Sequence, residues 1–137
     1  MKGYEQYIKD VLEGRITTCL YIRQLVERFE RFRKRPDVYF DEACVDEGID
    51  FLYQMKHWVG KSAGQHFEML PWEQFFFAVL MGLKWKADNK RVVRNVYLQC
   101  SRKQGKSSII AALALYHLIA DGEASPSVAC LASTRDQ

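Results

Sequence analysis

The sequence predicts an α/β fold in two parts: a helical first half, residues 1–83, and then the opening strand, helix and strand of a parallel sheet, residues 84–137. Three observations predict it. Apolar residues recur at three- and four-residue spacing through most of the first eighty positions, the period of a helix face. The stretch Asn95–Tyr116 reads as strand formers (Val96, Tyr97, Leu98), a loop SRKQGKS and a helix-forming SIIAALALY. A second apolar run, SVACLAS at 127–133, follows a turn. Strand, helix, strand in that order is a crossover unit, and its strands lie parallel.

The elements follow in order. Tyr4, Tyr7, Ile8, Val11 and Leu12 sit at helical spacing over residues 4–13, and Gly14 suits the stop. Thr17 or Thr18 is placed to cap a second helix whose stripe is Ile22, Leu25, Val26, Phe29 and Phe32. Its other face carries Arg23, Glu27, Arg28, Glu30, Arg31, Arg33 and Lys34. Such a face can contact nucleic acid, but the interleaved Glu27 and Glu30 favour a solvated face. Pro36 ends the helix. Asp41 is an N-cap for a third, along which Cys44, Phe51, Leu52, Met55, Trp58 and Val59 recur.

Gly60-Lys61-Ser62 is a first Gly-Lys-Ser. It follows a helix rather than a strand, so Gly60 reads as a helix C-cap, with Gly64 loosening the loop beyond. Pro71 suits a first helical turn, and Trp72–Leu83 continues a helix that is apolar around most of its circumference. Residues 84–95 read as a loop or ragged hairpin. Beyond the last helix, Gly122 serves as C-cap and Ser125-Pro126 as a turn. A two-stranded parallel sheet would leave open edges, so the expectation is the front part of a larger α/β domain.

Composition narrows the function classes. With 137 residues, 48% apolar and 27% charged, the chain can build one real core and does not read as disordered. The cysteines (Cys19, Cys44, Cys100, Cys130) form no CxxC pair and have no histidine at metal spacing, which points away from zinc and disulfide frameworks. The start, MKGYEQYIKD, lacks a signal-peptide core. The longest apolar run, the nine residues Phe75–Leu83, is about half a membrane span. A soluble intracellular protein is expected. The net charge is +3. Lys84, Lys86, Lys90, Arg91, Arg94, Arg102, Lys103 and Lys106 face only Asp88 within their segment, which fits an anionic ligand or a solvated basic loop.

The chemistry converges on the second Gly-Lys-Ser, Gly105-Lys106-Ser107. Backbone N–H groups of a loop at a helix N-terminus point at a phosphate, and the helix dipole favours its charge. Gly105 lets the backbone approach closely, Lys106 can reach β- and γ-phosphates, and the Ser107 hydroxyl can ligate Mg²⁺. The full pattern G-x-x-x-x-G-K-[ST] would place its first glycine at Cys100, so that glycine is missing. Arg102 and Lys103 add cations to the loop. An arginine there can stabilise a transferring phosphoryl group in cis, and Lys103 is expected to face solvent.

The loop SRKQGKS, without a leading glycine and with arginine second, resembles the deviant Walker A loop of tailed-phage terminase large subunits. VLEGRITTCLYIRQLVERF, YFDEACVDEGIDFLYQMKHWVGKSAGQHFEMLPWEQFF and DGEASPSVACLASTRDQ are similar to that family's N-terminal segments, so the resemblance covers essentially the whole chain. It implies the first βαβ unit of a P-loop NTPase sheet of the ASCE type. The implied ligands are ATP and Mg²⁺, with Ser101, Arg102, Lys103, Gln104, Gly105, Lys106 and Ser107 around the phosphates and Arg102 as a cis arginine finger. It also implies adenine contacts from Trp72 and Gln74, although Glu73 stands where the family has glutamine and Gln74 comes one position late. The implied partners are double-stranded DNA, a portal protein and a small terminase subunit. A homo-oligomeric ring at the procapsid, in a bacterial host cytoplasm and not on a membrane, is implied as well.

The family's acidic Walker B strand and its nuclease aspartates do not appear before Gln137. The chain therefore resembles about the first quarter of such a protein, as a partial reading frame or one piece of a split gene, and is expected to hydrolyse ATP negligibly alone. Two other readings stand beside it. A helicase-like or ABC-type ATPase would normally keep the glycine replaced by Cys100. A non-catalytic helical interaction module would bind no nucleotide.

Overall fold

The helical spacing of the first thirty residues becomes α1 (Gly3–Leu12) and α2 (Leu20–Arg33). They belong to a computed structural model that describes residues 2–57, 62–102, 104–122 and 124–131. After α2 come β1 (Val38–Phe40), α3 (Glu42–Gln54), α4 (Pro71–Phe77), a π-helical turn (Ala78–Gly82), β2 (Leu83–Trp85) and α5 (Lys106–Ile119). The chain divides into two units, residues 1–99 and 100–137. Among the described residues, no helix is long and apolar enough to cross a membrane.

The core of the first unit is aromatic. Phe29 of α2 meets the ring of Phe40 edge-on at 5.5 Å and that of Phe75 at 5.5 Å. Tyr7 of α1 lies 5.4 Å from Phe75. Phe29, Phe77, Tyr4 and Leu52 are essentially fully buried, each such side chain contributing about 1.5–3 kcal/mol. Edge-to-face rings place the positive rim of one on the negative face of the next. Arg33 closes the top of this cluster. Its guanidinium lies 4.8 Å over the Phe40 ring and pairs with Glu5 at 3.0 Å and Glu30 at 3.1 Å, fastening the end of α2 to α1.

The sequence places α1 and the end of α2 correctly, and the structure corrects several boundaries. The N-cap of α2 is Cys19, without a side-chain cap bond, rather than Thr17 or Thr18. Asp41 caps α3 as expected, accepting from the Cys44 N–H at 3.0 Å. That helix stops at Gln54 rather than running to Val59, because the chain beyond turns back on itself. Phe67 N–H reaches Met55 O at 2.8 Å and His57 N–H reaches Gln65 O at 2.9 Å, which buries Phe67. Trp58, Val59, Gly60 and Lys61 lie outside the described residues. Gly64 adopts φ +85°.

Pro71 opens α4, but the helix expected to reach Leu83 is α-helical only to Phe77. The wider π turn that follows buries Ala78, Val79, Met81 and Gly82. It hands the Gly82 carbonyl to the Asp41 N–H at 2.8 Å. Leu83 then enters β2, which pairs antiparallel with β1: Val38 with Trp85, Tyr39 with Lys84, Phe40 with Leu83. Among the described residues the sheet is this two-stranded one, so the fold is mixed helix and strand. The expected parallel strands do not appear among the described residues: neither residues 96–98 nor residues 127–131 enter a ladder. Both lack regular secondary structure, as a short strand does when no neighbouring edge holds it. Ala132, Ser133 and Asp136 lie outside the described residues.

Candidate functional site

The second unit is built on α5. Ile109, Ala112 and Tyr116 are buried. At its C-terminus the C-cap is Ala120 rather than the expected Gly122; Asp121 N–H returns to Tyr116 O at 3.0 Å, and Gly122 adopts φ +75° two residues past the cap. His117 Nδ1 lies 2.7 Å from the Asp121 carboxylate across that last turn.

At the N-terminus the cap is Gly105, with φ 73° and ψ 5°, the left-handed region that side chains disfavour. Ile109 N–H makes the first ladder bond of α5, to Gly105 O at 3.0 Å. The amides of Lys106, Ser107 and Ser108 precede that bond, at the end of the helix where orphan donors and the positive dipole end coincide. Lys106 does not extend into solvent. Its Nζ donates to Cys100 O and to Ser101 O, each at 2.6 Å. An ammonium has three donors, so the side chain lies folded back across the loop with one donor left. Ser101, Arg102, Gln104 and Ser107 are exposed. Among the described residues the Ser107 hydroxyl has no hydrogen-bond partner and Arg102 no ion pair. Lys103 lies outside the described residues.

Sequence reasoning reads Cys100 only as a missing glycine. The structure makes its carbonyl, with that of Ser101, the anchor of Lys106. A backbone oxygen leaves no mark in residue type; only the six-residue spacing from Cys100 to Lys106 could have pointed to it.

The other expected site residues lie on α4 in the first unit. Trp72 is half-buried and lines a groove of about 1190 Å³ with Tyr7, Phe75, Phe76, Arg28 and Arg94. Gln74 follows two residues later, about 200° around the helix. Its amide donates to Met69 O at 3.0 Å, and its side chain packs over Gly3. Glu73 between them is buried, and its carboxylate accepts the Leu70 N–H at 2.8 Å, capping α4. Burial pushes its pKa up, against the lowering effects of that hydrogen bond and of His57.

Residues 71–137, from the first turn of α4 through the loop and α5, match the family described as terminase large subunit, ATPase domain. The match spans 67 of the 137 residues and makes this segment similar to that family. No curated protein and no solved structure matched the chain. The terminase match begins at Pro71, so α1, α2 and α3 lie outside it. Nucleotide binding is the property that an ATPase domain carries by definition. Within the matched segment, the left-handed Gly105, the anchored Lys106 and the helix N-terminus together form a place where the geometry suits a phosphate.

Proposed function

We propose that this chain carries the phosphate-binding part of a DNA-packaging ATPase, the front of a parallel P-loop sheet completed by further strands. The observation that carries the reading is Lys106 held by the Cys100 and Ser101 carbonyls at the N-terminus of α5. A lysine fixed in that pose presents its charge and one remaining donor to a phosphate at almost no entropic cost of ordering. In this assignment Ser101, Arg102, Lys103, Gln104 and Gly105 surround a triphosphate, and Lys106 contacts its terminal phosphates. The Ser107 hydroxyl, unpartnered among the described residues, holds Mg²⁺. When bound, the metal neutralises developing charge on the transferring phosphoryl group. Arg102, exposed and without an ion pair among the described residues, is the proposed cis arginine finger. Trp72 and Gln74 remain the proposed adenine contacts, Gln74 by releasing Met69 O.

The proposed partners are double-stranded DNA, a portal protein, a small terminase subunit and further copies in a ring, acting in the host cytoplasm. No acidic metal ligand or general base is assigned on this chain, so it is expected to bind ATP and hydrolyse it negligibly. Titrating the purified chain with Mg²⁺-ATP tests the reading. Binding that weakens at least tenfold in Lys106→Ala supports it. Absence of binding by the folded wild-type chain favours the helical interaction module instead. Robust turnover that disappears in Lys106→Ala would overturn the assignment of a non-catalytic fragment.

A further inference from the structure

The groove between α2 and the α4–π segment leaves apolar surface uncovered. Phe29, Phe75 and Leu83 line it and are buried. Ile22, Leu25, Phe76 and Leu80 line it as well and are only half-buried. Tyr21 and Tyr97 belong to the same lining but are 79% and 87% exposed, so they rim the groove rather than fill it. Neither ring has an aromatic contact among the described residues.

The charges of the groove are all of one sign. Arg28 and Arg94 are exposed and make no ion pair among the described residues, and no lining residue is acidic. Asp88, whose charge Arg94 favours at longer range, is outside the lining.

Size and composition select the occupant. At about 1190 Å³ the groove exceeds the roughly 300–1,000 Å³ that holds a small molecule. A single-stranded nucleic acid needs cations along its whole track. Here two arginines stand among aliphatic side chains such as Ile22, Leu25, Leu80 and Val92, which neither stack on bases nor neutralise phosphates. Aromatic rings and arginine, with no Lys, Asp, Glu, Ser or Ala, are the composition of a protein–protein contact. Tyr, Trp and Arg are also the residues on which such contacts most depend.

The walls define the partner's shape. Ile22, Leu25, Phe29 and Phe32 recur along α2, and Trp72, Phe76 and Leu80 along the facing wall, at the three- and four-residue spacing of helix ridges. A third helix with an apolar ridge of its own fits between two such walls. Two arginines without partners call for carboxylates beside that ridge. We infer that this groove docks an amphipathic helix of a protein partner, apolar on one face and flanked there by Asp or Glu. The inference does not rest on the nucleotide assignment.

Fluorescence anisotropy of labelled helical peptides against the full chain tests it. Three peptides share one leucine ridge at helical spacing and differ in the residues flanking it: glutamate, glutamine or lysine. Near physiological salt, charges more than about 8 Å apart are largely screened, so only groups beside the peptide are read. The glutamate peptide should bind at least tenfold tighter than the lysine peptide, with glutamine between them. Arg28→Glu/Arg94→Glu should reverse that order. Arg31→Glu, an exposed reversal on the same helix but outside the groove, should keep it. Tyr21→Ala/Tyr97→Ala should weaken the glutamate peptide at least tenfold while melting as wild type. Lys106→Ala should bind this peptide as wild type whatever its ATP affinity, which separates this inference from the nucleotide reading. No binding of the glutamate peptide by the folded chain overturns the proposal. Equal affinity for the glutamate and lysine peptides overturns it, as does an order that survives Arg28→Glu/Arg94→Glu. A labelled single-stranded oligonucleotide that binds more tightly than the glutamate peptide overturns it in favour of a nucleic acid.

Discussion

Asp41 and Lys84 form the joint between the sheet and α3. One Asp41 carboxylate oxygen caps α3 through the Cys44 N–H at 3.0 Å, and the other takes the Lys84 ammonium of β2 at 2.7 Å. Both side chains are three-quarters or more buried. The hydrogen bond from Lys84 holds the Asp41 pKa below the usual carboxylate range, against the upward push of burial. Burial is the largest single influence on Lys84 and works against its charge, yet the hydrogen bond to Asp41, joined by the electrostatic effects of Cys44, Asp41 and Tyr39, raises that pKa.

Asp41→Ala therefore removes a cap and strands a lysine. The expected cost is about 1–2 kcal/mol, most of it from the cap. Asp41→Asn keeps a cap oxygen and should cost less. The pH dependence has a definite sign. A depressed carboxylate pKa stabilises the fold above the unfolded-state value, and that contribution is lost as pH falls through the folded-state pKa. Denaturant melts of wild type and Asp41→Asn should converge at acid pH. Curves that stay parallel down to that range would remove the pair from the account.

Glu73 has the opposite sign. Its folded-state pKa is raised, so between the unfolded and folded values the native state holds the extra proton. Stability from this group thus falls as pH rises through that window. Glu73→Gln keeps an oxygen for the Leu70 N–H without a buried charge. The variant should be at least as stable as wild type at neutral pH and lose that advantage as acid protonates Glu73. A variant less stable than wild type at neutral pH would mean that the charge on the α4 cap outweighs its burial.

Gly48 is in the interior of α3, where alanine would ordinarily gain about 1 kcal/mol of helix propensity. Here a Cβ would run into the ring of Phe77, which is fully buried and has no room to retreat. Overpacking costs about 1–3 kcal/mol, so Gly48→Ala should lower the melting temperature despite its propensity. Adding Phe77→Leu should recover part of the loss. Two destabilisations that simply add would show that the ring and the position do not touch.

How much of the fold was legible in the sequence depended on how far each signal reaches along the chain. Asp41, Pro71 and Gly105 announce helix starts through local chemistry, and each opens its helix where expected. The β1–β2 pair was not legible. Each strand has three residues, and Val38 finds its partner Trp85 only across the α3, α4 and π turn that separate them in sequence. The early end of α3 has the same cause, since Met55 leaves the helix to pair with Phe67. Conversely, Val96–Leu98 has the composition of a strand, yet composition cannot supply the neighbouring edge that a ladder needs. In the loop, residue types located Gly105 and Lys106, while the carbonyls that hold the lysine belong to the backbone.

Gly105 and Lys106 separate two requirements that the loop imposes together. Gly105 sits at φ 73°, where an L side chain costs about 1–2 kcal/mol, so Gly105→Ala should weaken the start of α5 and lower thermal stability by that amount. Asparagine tolerates this region better than alanine, and Gly105→Asn should recover part of the loss. Lys106→Ala acts elsewhere. It releases two carbonyls that water can satisfy at the loop surface, so it should melt close to wild type while losing ATP affinity. Thermal melts and ATP titrations on the three variants therefore give different patterns. Gly105→Ala loses stability and affinity, Lys106→Ala loses affinity alone, and Gly105→Asn falls between wild type and Gly105→Ala in stability. If Gly105→Ala melts like wild type, the left-handed cap is not what shapes the loop, and the fixed pose of Lys106 would need another cause.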